Sequence, residues 1–137
     1  MRGLAPARTW RHESGQSLVE FAFTALLFFL IIFGVVDLGR AVFEYNLLAS
    51  SAREGARMAS IPSYSTSDVV SRVVQSSAGV IASGDVSVSG SRVCNTDPCP
   101  TVTVTVQHTF TPVTPLIGTL IGGSITMTAS STMVVER

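Results

Sequence analysis

From Phe21 to Val36 the chain reads FAFTALLFFLIIFGVV, sixteen residues with no charge and a single Thr. Extended back to Gln16, the stretch covers 21 residues, about 30 Å as a helix, which matches the hydrocarbon core of a bilayer. A helix this apolar on every side is no surface helix of a soluble domain. The segment before it holds Arg2, Arg8 and Arg11 against one acid, Glu13. That excess of cations predicts a cytoplasmic N-terminus and an outward path for residues beyond about 40. Trp10 is placed to anchor the inner interface.

The apolar run ends in Val35-Val36-Asp37-Leu38-Gly39-Arg40, without the small-residue site at which a secretory signal peptide is cut. A plain uncleaved anchor carrying an outer binding module is the simplest alternative. Glu20 argues against it. An ionised carboxylate inside a membrane helix costs about 2 to 3 kcal/mol or more on insertion scales, so it ordinarily has a partner or a role. The alternative for Glu20 itself is an acid that snorkels to the nearby interface.

The string around it, Gly15-Gln16-Ser17-Leu18-Val19-Glu20-Phe21, resembles the processing site of type IV prepilins. In those proteins a membrane peptidase cuts after the Gly and the Glu becomes the fifth mature residue. The resemblance implies a cut between Gly15 and Gln16, with Glu20 and Phe21 recognised in processing and assembly. Gly15 would let the backbone extend into a protease site without a side-chain clash. Glu20 would pair with the new N-terminus of a neighbouring subunit, relieving its desolvation and setting register.

Further along, Gly34-Val35-Val36-Asp37-Leu38-Gly39-Arg40 precedes Ala52-Arg53-Glu54-Gly55-Ala56-Arg57. With the Leu-Val-Glu-Phe-Ala start, these motifs resemble the TadE-like family, minor pilins or pseudopilins of the bacterial tight-adherence (Tad) system. The likeness lies within residues 14–59. Many members of that family carry a Pro in the membrane segment, where this chain reads Thr24-Ala25-Leu26-Leu27. The resemblance implies a prepilin peptidase, other Tad pilins and assembly-platform proteins as partners besides the bilayer. It also implies a helix-packing motif of Asp37, Gly39, Arg40, Arg53, Glu54, Gly55 and Arg57. The implied place is the bacterial inner membrane and, after assembly, a pilus used for surface adhesion.

Beyond the membrane the helix is expected to continue, because Tyr45, Leu48, Ala49, Ala52, Ala56 and Ala59 recur at steps of three and four. Arg40 can meet Asp37 and Glu44 on one face, and Glu54 can meet Arg57. These charges suit either a solvated face or a subunit contact. A helix from Gln16 to Ser60 would be roughly 65 Å long, ending at Ile61-Pro62.

After a loop at 61–66, Ser67 is expected to cap a second helix with Val69, Val70, Val73, Val74, Ala78 and Ile81 on its apolar face, stopped by Gly84. Three strands should follow. One runs through Val86 and Val88 and resumes at Val93. A second follows the alternation Thr101-Val102-Thr103-Val104-Thr105-Val106. The third passes through Ile125, Met127, Ala129, Ser131, Met133 and Val135. The expected fold is therefore α+β: a long membrane helix extending into a small domain with a second helix and a three-stranded antiparallel sheet, as in pilins. The divisions are a basic leader at 1–15, a membrane span at 16–38, its outer extension at 39–60, and the outer domain at 61–137.

Cys94 and Cys99 bracket a turn between the first two strands. Outside the cytoplasm a disulfide there is expected to contribute about 2 kcal/mol by shortening the unfolded chain's loop. Leu116, Ile117, Leu120 and Ile121, in the connection from Thr111 to Gly123, suit either a cover for the open end of the core or a subunit contact.

No catalytic constellation is visible. All nine cationic side chains are Arg, so no P-loop lysine exists, and no Gly-x-Ser-x-Gly is present. His12-Glu13 opens like a zinc-protease helix, but Gln16 stands where the second His is needed. His108 reads as a polar strand residue, and no metal or other cofactor is expected. Asp68, Asp85 and Asp97 fall at element ends, where acids cap. No basic run follows the leader, so nucleic acid is not an expected partner, and with no catalytic constellation no small-molecule substrate is expected either.

Overall fold

The computed structural model describes residues 14–137; Arg2, Arg8, Trp10, Arg11, His12 and Glu13 lie outside the described residues. Helix α1 runs from Ser14 to Ala59, 46 residues without a break, about 69 Å along its axis. It does two jobs in sequence. From Gly15 to Val36 its side chains are exposed or half-exposed on every side, as with Phe21 at 73% and Phe33 at 53%. In its last third, Leu48, Ser51, Ala52, Gly55, Ala56 and Ala59 are buried under the rest of the chain. Tyr45, expected on this stripe, stays exposed, and Ala49 packs at its edge.

Strands β1 (Val86–Gly90), β2 (Thr101–Phe110) and β3 (Ile125–Val134) form one antiparallel sheet in the order β1-β2-β3. Val102, Val104 and Val106 turn inward and are fully buried, while Thr103 and Thr105 face outward. Across the outer face Thr103 and Thr132 share a hydroxyl hydrogen bond of 2.8 Å. The inner face lies on α1, so a sheet too small to stand alone shares its core with the helix. Each buried Val or Leu contributes about 1.5 to 3 kcal/mol.

The β2 strand continues to Phe110, four residues beyond the clearest alternation, and β1 ends at Gly90 without resuming at Val93. Gly90 has φ 101° and lies against the Thr101 carbonyl, a place where no side chain fits.

Helix α2 spans Thr66–Ser76 and packs Val69 and Val73 onto α1. Its cap is Ser65, not Ser67. The Ser65 hydroxyl accepts from the Asp68 amide, and the Asp68 carboxylate accepts from the Ser65 amide at 2.8 Å, a reciprocal box. The helix stops well before Gly84, because Ala78 (φ 52°) and Gly79 (φ 83°) turn the chain left-handed. Ile81 still reaches the core, from the segment after that turn. The connection between β2 and β3, to which the spacing assigns no element, holds a short helix, α3, Pro115–Ile121. Pro115 at its first position and Gly122 in the left-handed conformation at its end account for both boundaries.

Candidate assembly and membrane interface

The chain descends along α1 in a ladder of contacts. A Cβ on Gly55 would lie against Val104; His108 pairs with Glu44; the Arg40 guanidinium stacks over Phe110 at 5.4 Å; Asp37 binds the Val113-Thr114 backbone; and Gly34 faces Ile117. From Val104 to Ile117 the polypeptide thus steps back from the middle of the domain to the last turns of the apolar segment.

Asp37 is the fixed point of this ladder. It is 3% exposed, and its two carboxylate oxygens accept from the amides of Val113 (3.0 Å) and Thr114 (2.9 Å), just before α3 begins. Arg40 stands 3.6 Å from Asp37 and 3.4 Å from Glu44. Glu44 also faces His108 Nε2 at 3.3 Å. The expected pairing of Arg40 with both acids is present. The binding of Asp37 to a segment 76 residues away is not something helical spacing could suggest.

Arg53 and Arg57 point outward, and Gly55 lies beneath Val73 of α2. Glu54 does not pair with Arg57. It accepts from Nε and Nη2 of Arg72, at 3.1 and 2.8 Å, because α2 crosses α1 at this turn and brings a better-placed guanidinium. Gly39 is exposed, with open space around its α-carbon.

Gly15 and Gln16 lie in the first turn of α1, and Glu20 and Phe21 follow on its exposed surface. Among the described residues none pairs with the Glu20 carboxylate; its backbone carbonyl accepts from the Thr24 hydroxyl at 2.9 Å. Cys94 and Cys99 form a disulfide with α-carbons 4.9 Å apart, in the turn between β1 and β2. Among the described residues no cluster of three or more His, Cys, Asp or Glu side chains could hold a metal ion.

One element of the domain had no signal in the periodicities. Arg92, just past β1, donates to the carbonyls of Ala59, Ile61 and Tyr64 and so closes the free C-terminal end of α1. A lone Arg followed by Val and Cys carries no capping pattern, although cations do favour helix C-termini.

Residues 15–57 match the family model of the TadE-like protein, about a third of the chain. No curated protein and no solved structure matches.

Proposed function

We propose that this chain, TadE-like over residues 15–57, is a minor pilin or pseudopilin of a Tad pilus. On this reading a prepilin peptidase processes it between Gly15 and Gln16, and it contributes to pilus assembly and surface attachment. The observation that carries the reading is the division of α1: one half an apolar rod exposed on all sides, the other the ridge of a small α+β domain. A rod of that kind needs either lipid or other rods around it. A pilin uses both in turn, lipid while the subunit waits in the membrane and neighbouring helices once it is assembled. Glu20, unpaired among the described residues within a single chain, is a group whose partner belongs to another subunit.

The N-terminus is cytoplasmic and the domain lies outside, where the Cys94–Cys99 disulfide is chemically at home. Intact mass and N-terminal sequencing of the membrane-extracted protein from its own host test the proposal. A mature chain starting at Gln16 supports it. Retention of residues 1–15 in a host with an active prepilin peptidase overturns it in favour of an uncleaved anchored module.

A further inference from the structure

The apolar surface of this protein does not stop where the membrane segment stops. Ile121 (38% exposed), Ile125 (45%) and Val113 (73%) belong to the end of the domain built around α3. Ile117, Ile121, Ile125 and Phe110 line a largely apolar cleft against Leu38 of α1, whose one charged lining residue is Asp37. The direction of α3 sets its level. Thr114 sits at Asp37 and Ile117 at Gly34, so the helix runs back along α1 toward the membrane segment, below the end of the apolar run at Val36.

The charges at this level are arranged accordingly. Between residues 33 and 45 the charged residues are Asp37, Arg40 and Glu44. Both acids are turned inward, with side chains 4% and 14% exposed, whereas that of Arg40 is 41% exposed. The chain from Thr109 to Ile125 has no charged residue. An apolar end whose most exposed charge is a guanidinium, itself paired with Asp37 and Glu44, suits the boundary between acyl chains and phosphate headgroups.

We propose that α3 and its flanks are an interfacial membrane element, seating the domain in the headgroup region of the outer leaflet beside its own span. The proposal rests on α1 crossing the bilayer. Lipid is the occupant because the patch is continuous with a belt, Phe21 to Val36, that is open on every side and shares its level. A domain held in this way has a fixed tilt and rotation in the membrane before assembly. Its small sheet is turned in one direction.

Nitroxide labels on the full mature chain in vesicles of phosphatidylethanolamine and phosphatidylglycerol test this, with the native disulfide intact. Four positions suffice: Val113→Cys and Ile121→Cys in the element, Leu27→Cys in the span, and Gln75→Cys on α2. Val73, two residues before Gln75, packs at Gly55, about 31 Å along α1 from Gly34. The expected result is an oxygen-to-nickel accessibility ratio at 113 and 121 severalfold above that at 75 and below that at 27. Ratios at 113 and 121 equal to that at 75, with 27 still in lipid, overturn the seating alone. Exclusion of both reagents at 113 and 121 also overturns it, since it signals cover by a second copy. A water-like ratio at 27 overturns the membrane span and the seating together.

Discussion

A Cβ placed on Gly55 would overlap Val73 Cγ2 and come within 3.2 Å of Val104 Cγ1. The crossing of α1 and α2 is therefore as close as it is because that position carries no side chain. A β-branched Val has little freedom to swing aside. Gly55→Ala is expected to destabilise the domain by about 1 to 2 kcal/mol, overpacking outweighing the gain of about 1 kcal/mol in helix propensity. Thermal unfolding in detergent, followed by circular dichroism, measures it. Adding Val73→Ala should cost much less in the Gly55→Ala background than in the parent, because the two side chains compete for one space. Simple additivity would refute the contact.

Asp37 holds the turn that launches α3. Asp37→Ala leaves two amides without their acceptor, and the buried one, that of Thr114, is expected to cost about 1 to 3 kcal/mol while water can reach that of Val113. Asp37→Asn, with one acceptor oxygen, should lie between the parent and the Ala variant. The readout is hydrogen exchange at Val113 and Thr114, which should speed up markedly while exchange in β2 stays slow. Unchanged protection at both amides would mean that the turn holds itself.

Much of this architecture was readable in the residues, and the parts that were not have different causes. The sixteen-residue apolar run, the step-of-four alanines and the Thr-Val alternation are local periodicities, and each produced the expected element. Some of the misread features are local, and others depend on contacts between distant parts of the chain. Ser65 displaced Ser67 as cap because Asp68 stands three residues after it, completing the box. Arg72 took Glu54 from Arg57 because α2 crosses α1 there. Helix α3 escaped notice because seven residues with two prolines nearby are too short for a helical period to show. Its level on α1 is set by Asp37 and Gly34, far away in sequence.

The capping box also makes a pH prediction. The Ser65 hydroxyl and then the Ser65 amide, both donating to the Asp68 carboxylate, hold that group below its ordinary pKa, with Arg92 adding to the effect. A carboxyl depressed in the folded state stabilises fully above the unfolded value of about 3.9 and loses that stabilisation as pH falls through the lower folded value. Ser65→Ala is expected to cost about 1 kcal/mol at neutral pH. The gap between parent and variant should narrow as the pH is taken below that of an ordinary carboxyl. A gap that is constant down to strongly acidic pH would show that the box owes nothing to the ionised form.

Arg92 ties the end of α1 to the loop that follows it, donating through Nε to the Ala59 carbonyl at 3.1 Å and through Nη2 to those of Ile61 and Tyr64. A lysine has one ammonium and lacks the planar fork, so it cannot reach all three in this geometry. Arg92→Lys is expected to recover less than half of the stability lost in Arg92→Ala. That loss should be about 1.5 to 3 kcal/mol, the range for hydrogen bonds from a charged donor. Chemical denaturation in detergent separates the three proteins, and full rescue by lysine would reduce the role of Arg92 to its charge.

Glu20 connects the membrane segment to assembly. Glu20→Gln preserves size and removes the charge, so it should lower the insertion cost by a sizeable part of the 2 to 3 kcal/mol or more assigned to a charged group in the span, roughly speaking. Membrane residence is therefore expected to persist or rise. If Glu20 pairs with the N-terminus of a neighbouring subunit, incorporation into pili and surface attachment should fall sharply in the same cells. That opposition is what separates a pairing role from a snorkelling one: an acid that merely reaches the interface would leave assembly intact when neutralised. Quantifying the protein in sheared surface fractions and in membranes, for the parent, Glu20→Gln and Glu20→Ala, reads both arms at once. Unchanged amounts in both fractions for both variants would remove Glu20 from the assembly mechanism.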